Sequence, residues 1–424
     1  MVLGIWARTG TIPADPVRLS ATATATQADD IISVVDAGAT SSYSTADGYR
    51  LVEDRRGKRI ERFERIDAPS GSTVAEKTVP GFTRDGSAED RPAYVFRSPS
   101  GDSAPSFVAD GWQIDDTGTS LERPWQVSRF LNRNNLVLLL TSASFFAIMA
   151  VGMTLIIIMG GIDLSIGSIY ALAAVSTALL LRSMQPAGQA GPAALLCVPA
   201  GFLFCMFIGG VCGLLNGVAI VGLRVHPFII TLGGMAVYRG IAFVLSSGES
   251  IGGFPESFRQ FVRFEWAGVN PVPACFMIIF GVIGAFIASC TTFGRRTFAI
   301  GGNETAARYA GIPVGAVKIA LFTIGGISAG LAAAIGLGYF GSATSDSARG
   351  YELNVIAAAV VGGASLSGGR GSILGAVLGA IIIQLIDNGF DMLEINTNYK
   401  QIVIGLAIVL AVVVDQMKQR LFAR

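Results

Sequence analysis

Apolar positions are spread unevenly along this chain of 424 residues. Residues 136–160 run for 25 positions without a charge. At about 1.5 Å per residue, a helix of that length crosses a hydrocarbon core about 30 Å thick. Further uncharged runs occupy 164–181, 192–223, 266–292, 319–345, 353–369, 371–386 and 401–414, and 227–247 is apolar except for Arg239. The pattern predicts an all-α, polytopic bundle with nine spans. The last three runs are short and interrupted by Gly and Ser, which predicts broken or tilted helices. Irregular backbone at membrane depth is tolerated where protein or a water-filled cavity covers it.

The first 135 residues follow a different rule: they hold 35 of the 61 Lys, Arg, Asp and Glu residues. Over the whole chain 51% of residues are apolar and only 14% charged, against about a quarter charged in an ordinary soluble domain. The reading is a polar extension over 1–130 followed by a membrane domain over 131–418. Residues 21–27 alternate Ala and Thr as a low-complexity linker. Residues 92–96 and 107–114 have strand composition, and both a small β-rich module over about 45–118 and a disordered segment fit the extension.

Basic residues orient the bundle. A cytoplasmic C-terminus puts Lys418, Arg420 and Arg424 inside together with Arg224, Arg295, Arg296, Arg308, Lys318 and Arg370. Arg182, Arg259, Arg263, Arg349 and Lys400 then lie outside, nine against five. Nine crossings place residues 1–130 outside as well. The first 135 residues carry 16 basic residues and no apolar signal core, so the expectation is a further span upstream of Met1.

Net charge is +1 and no basic block is present, which gives no footprint for nucleic acid. The five cysteines, Cys197, Cys205, Cys212, Cys275 and Cys290, lie in or beside apolar runs without a CxxC spacing, and are read as small packing residues. With His226 as its single histidine, the chain has no His-based metal cluster. The sole Gly-Lys pair, Gly57-Lys58, is not followed by Ser or Thr, so no phosphate-binding P-loop exists. If ATP drives this protein, another chain hydrolyses it, and no cofactor is expected on this one.

Four stretches carry candidate chemistry. The first, 297–318, is a polar loop between apolar runs. Asn303 can cap a short surface helix, Glu304 suits the positive end of its dipole, and Gly311 can stop it. In the second, Gly160-Gly-Ile-Asp-Leu-Ser-Ile-Gly-Ser-Ile169, the glycines reverse the chain and Asp163 or Ser165 can cap the next helix. A plain boundary turn and a carboxylate shaping a permeation path or gate are both open. The third, Gly362-Gly-Ala-Ser-Leu-Ser-Gly-Gly-Arg-Gly-Ser-Ile373, echoes the second and suggests an internal repeat. In the fourth, 226–240, Pro227 starts a helix that carries Thr231 and Arg239. Arg239 either snorkels outward or lines the path; Thr231 and Asn216 either line the path or bond a neighbouring helix.

These segments, with Phe293-Gly-Arg-Arg, Ala299-Ile-Gly-Gly-Asn-Glu-Thr-Ala-Ala-Arg308, Gly350-Tyr-Glu-Leu and 357–371, resemble the ribose-type permeases of ATP-binding-cassette (ABC) sugar importers in order and spacing over about 128–418. The resemblance implies about ten spans per subunit, a pore formed with a second permease subunit, two ATPase chains below, and a periplasmic sugar-binding protein above. It implies that the loop 293–318 docks into the ATPase through Gly302, Asn303, Glu304, Ala306, Ala307, Arg308, Gly311 and Ile312. The pathway or gate is expected to use Asp163, Ser165, Asn216, Thr231 and Arg239. The chain departs from the family in carrying a polar segment where the first span belongs. The rival reading, an ion-coupled transporter of a small polar solute, calls for intramembrane ionisable groups, and only Asp163, Arg239, Asp387 and Asp415 lie near the spans.

Overall fold

The structure is a computed structural model that describes residues 130–184, 194–266 and 269–392, isolated residues after 392, and backbone strands before 130. The chain divides into two units, Met1–Asn132 and Arg133–Arg424.

In the first unit every strand pairing is antiparallel. Its longest hairpin joins β8 (Thr73–Phe82) to β9 (Ala88–Arg97), in register from Thr73↔Arg97 to Phe82↔Ala88. The strand β7 (Gly57–Asp67) is flanked by β6 (Tyr49–Asp54), β2 (Val17–Arg18) and β12 (Ser120–Pro124).

The second unit is helical. Seven of its described helices are long and apolar enough to cross a membrane. They are α1 (Arg133–Ile158), α2 (Ile166–Ser183), α3 (Ala194–Leu223), α4 (Pro227–Ser246), α6 (Val272–Cys290), α9 (Val314–Phe340) and α11 (Ile373–Met392). Shorter pieces connect them: α5 (Glu256–Val262), α7 (Thr292–Gly302), α8 (Glu304–Tyr309) and α10 (Tyr351–Val361). Each uncharged run up to 386 therefore contains a helix, but the count of nine is reduced to seven among the described residues. The run 353–369 falls partly in α10, which is only 11 residues long, because Gly362 and Gly363 stop it. The ninth run, 401–414, lies largely outside the described residues.

In lipid, apolar side chains gain little from leaving the tails for one another, so close backbone approach holds helices together. The pair α3–α9 shows it most fully. Gly209, Gly213 and Gly217 recur every fourth residue on α3, and a Cβ at Gly209 or Gly213 would overlap the carbonyl of Gly326 or Phe322 on α9. α1, α2 and α9 form the buried interior, whereas α4 and α6 leave most of their apolar surface uncovered. At one end of α1 and α11, Asn135 and Asn388 exchange amide hydrogen bonds of 3.0 and 2.8 Å, which satisfies both buried side chains.

Candidate functional site

The loop between α6 and α9 is a chain of caps. Thr291 Oγ1 accepts from the Gly294 amide at 3.1 Å and starts α7. That helix is amphipathic: Gly294, Thr297 and Ile300 are buried, and Arg295 and Arg296 are exposed. Asn303 then takes an extended conformation, and its Oδ1 accepts from Ala306 N–H at 2.9 Å to cap α8. At the other end Gly311 adopts φ 81°, the Gly311 amide donates to Arg308 O and the Ile312 amide to Ala307 O, both at 3.1 Å. Only a residue without Cβ takes that φ freely, so the stop is encoded by Gly311.

Glu304 accepts from Lys318 at 2.9 Å and from Arg308 at 3.1 Å. The Lys318 hydrogen bond, followed by partial burial acting in the opposite sense and by the pull of both cations, leaves its carboxyl below the usual carboxylate range. Ala307 is buried and Ile312 half-buried against Ile300 and Val314, which fixes α8 to the bundle. Its outer face presents Gly302, Asn303, Ala306, Arg308 and Gly311. Tyr309, which sequence reasoning passed over, is 89% exposed there.

The second cluster is buried. Asp163 is fully enclosed, and its Oδ1 accepts from Ser165 N–H at 2.8 Å and from Ser165 Oγ at 2.5 Å. Asn216 Nδ2 donates to Ser165 Oγ at 2.8 Å, and Tyr238 OH donates to Asn216 Oδ1 at 2.9 Å. Thr231 Oγ1 bonds the Ile162 carbonyl at 3.3 Å. Asp163, Ser165, Asn216 and Thr231 thus come together and knit α2, α3 and α4. Asn216 lies seven residues before the end of α3 at Leu223, which sets the cluster about 10 Å inside that end. One capping expectation is corrected: Ser165 occupies the N-cap of α2 but makes no side-chain cap bond, because its hydroxyl serves the Asp163 carboxylate.

A family model described as "branched-chain amino acid transport system / permease component" matches residues 135–412, from the third residue of α1 to beyond the end of α11. The ribose import permease of Bacillus subtilis strain 168 is 39% identical over 292 residues, 68% of this chain and 87% of that protein. The D-allose transport system permease of Escherichia coli K12 is 36% identical over 289 residues, 68% and 85% of the two chains. The chain belongs to the family of ribose-type sugar import permeases. The galactose/methyl galactoside import permease of Haemophilus influenzae is likewise similar, at 35% identity over 297 residues, 68% and 88% of the two chains. No solved structure gives a significant match. The permease is a multi-pass protein of the inner membrane, and its relatives are transport subunits.

Arg239 stands apart from the buried cluster in the permease, two turns further along α4. Its Nη1 donates to Ser345 O at 2.7 Å and Ser347 O at 3.4 Å, so it holds the 341–350 loop. That loop enters the bundle: a Cβ on Gly167 would meet Glu352 Oε2 at 2.5 Å and Ala348 O at 2.6 Å. Among the described residues, Glu352 Oε2 and Asp163 Oδ2 are buried without a hydrogen-bond partner. Glu352 lies within the Gly350-Tyr-Glu-Leu motif, but nothing in its spacing assigned it a place facing α2. Tyr238 had a readable signal, seven residues after Thr231 and therefore on the same helical face. The cysteines divide: Cys197, Cys205 and Cys212 are buried, whereas Cys275 and Cys290 are exposed on α6. The burial expected of those two fails because α6 turns that side away from its neighbours.

Proposed function

We propose that this permease is the membrane subunit of an ABC importer that passes a monosaccharide or similar neutral polyol by alternating access. The observation that carries this reading is α8, a six-residue helix capped by Asn303, stopped by Gly311 and pinned by Ala307, with Arg308 and Tyr309 turned outward. A rigid projection of this kind suits insertion into a cleft of a partner ATPase. Its face offers a backbone edge, a cation and an aromatic ring, the residue types that anchor protein interfaces. The loop 293–318 would then lie in the cytoplasm, as the basic-residue count expects.

The sugar is released by a periplasmic binding protein on the opposite face and enters a path shaped by two permease subunits. ATP is bound and hydrolysed by the partner, and this chain carries no cofactor. Asp163, Ser165, Asn216, Thr231 and Tyr238 form the polar wall that changes arrangement as access alternates, and Arg239 and Glu352 control the 341–350 loop. Neutral hydroxyls suit such a wall because they exchange hydrogen bonds without bringing a charge into the membrane.

Purification of the detergent-solubilised permease tests the reading. A stoichiometric ATPase subunit, and hydrolysis stimulated by the binding protein in proteoliposomes, are the expected results. Asp163 and Glu352 each hold a buried carboxylate oxygen without a partner, which is what an ion-coupled carrier would use. Solute uptake by the permease alone under an ion gradient would favour that second reading and sink the first.

A further inference from the structure

Three backbone segments from distant parts of the sequence interlock: the end of α1, the end of α7 and the stretch just before α11. The Gly369 amide donates to the Ile158 carbonyl, the last residue of α1, at 2.7 Å. A Cβ on Gly301, one residue before the end of α7, would overlap that same carbonyl and stand 2.5 Å from the Gly369 nitrogen. Gly368, at φ 83°, lies against Gly301 and Gly160, with the Gly301 oxygen 2.8 Å and the Gly160 Cα 3.2 Å from where its Cβ would be. Gly369, at φ 71°, lies equally close to Gly302. No side chain intervenes at any of these contacts, so the segments can move only as one body or by breaking the Gly369–Ile158 bond.

What the joint connects gives it a consequence. On one side α8 begins two residues after Gly302. On the other, Gly160–Ile162 leads directly to Asp163, and the Ile162 carbonyl receives the Thr231 hydroxyl. We infer that Gly301, with Gly368 and Gly369, is the positioning element through which displacement of α8 reaches Asp163. Backbone contact transmits a shift of a fraction of an ångström without the rotamer play of side chains, and packed interfaces amplify such shifts because they are bistable. The inference rests on the proposed docking of α8 to an ATPase.

Two helical glycines provide the test. Gly301→Ala places a methyl group in the joint, whereas Gly222→Ala, near the end of α3 and outside both the docking face and the joint, meets nothing within 4 Å. In proteoliposomes holding the permease with its co-purifying ATPase and binding protein, Gly301→Ala is expected to lower uptake about tenfold or more while hydrolysis stays within about twofold. Gly222→Ala is expected to leave both within about twofold of wild type. Loss of ATP hydrolysis together with uptake in Gly301→Ala, or wild-type uptake, overturns the inference.

Amide hydrogen exchange on the wild-type complex covers the case in which Gly301→Ala does not fold. Peptides spanning 302–311 should gain protection on ATPase binding, and those spanning 158–163 and 366–371 should change together when ATP is added. Protection at 302–311 with no nucleotide response in the other two overturns the joint and leaves the docking intact. No protection at 302–311 overturns the docking, and the inference falls with it.

Discussion

The glycine-rich segments after α1 and α10 begin in the same way and then part. Each stops its helix with a left-handed glycine, Gly160 at φ 90° and Gly363 at φ 93°. In each the following amide bonds back to the helix, Gly161 to Ile156 O and Ala364 to Ala359 O, both at 2.9 Å. Matching letters would pair Gly160 with Gly362, but the backbone pairs it with Gly363, one residue later. The first segment starts α2 at Ile166 and so turns Asp163 inward onto Ser165. The second runs on to Ile373 through the left-handed Gly368 and Gly369, and its surplus length folds back onto the end of α1. Ser372 then caps α11 through the Gly375 amide at 3.1 Å, a bond that Ser165 does not make for α2. A shared helix stop thus serves two ends: a short exit buries a carboxylate, and a long one builds a joint.

Substitutions can break this contrast, and the largest effect is expected at Asp163. Asp163→Leu strands the Ser165 amide and hydroxyl, at a cost of about 1–3 kcal/mol for each unpaired buried group. Transport should fall further with Asp163→Leu than with Asp163→Asn, and Ser365→Ala, at the position the letters equate with Asp163, should fall least. Uptake assays on matched amounts of membrane-inserted protein decide it. Equal wild-type activity for all three would reduce the first segment to a plain turn.

Next come the stops themselves. Gly160→Ala and Gly363→Ala each force a side chain into left-handed backbone, which costs about 1–2 kcal/mol. Thermal unfolding in detergent should show losses of similar size at both, and a marked difference would mean that the stops are not equivalent. A smaller loss, about 1 kcal/mol, is expected when Ser372→Ala removes the cap of α11. Ser372→Thr should restore most of that unfolding temperature.

The smallest effect concerns the segment that meets both turns. The Glu304 carboxyl is depressed in the folded protein, chiefly by Lys318. Its contribution is therefore fully present above the ordinary carboxylate pKa and is lost as pH falls through the lower, folded value. Exchange protection of 304–309 should hold at neutral pH and weaken only in that acidic window. In Lys318→Met the loss should begin at higher pH, and an unchanged profile would remove Lys318 as the cause.

Much of this was legible in the chain itself. The runs without charge located the long helices, because a span must be apolar for its full length and satisfy its own amides. Asn303 and Gly311 marked α8 because caps act within a few residues of the backbone they serve. The Asp163 cluster was legible only as a set of polar residues in apolar surroundings. Whether Asn216 and Thr231 face a path or a neighbour depends on helix rotation, which a uniformly apolar span does not encode. The same loss of periodicity hid Glu352 and the exposed side of α6.

The sequence by itself determined that the chain spans a membrane many times, where most helices start and stop, and that 303–311 forms a capped helix. All of these follow from interactions within one stretch of chain. Only the tertiary structure decided that Tyr238 joins Asn216, that Arg239 holds the 341–350 loop, and that Gly301, Gly369 and Ile158 share one contact. Those outcomes depend on which backbones come within about 3–4 Å of one another. A glycine carries no side chain to announce its partner.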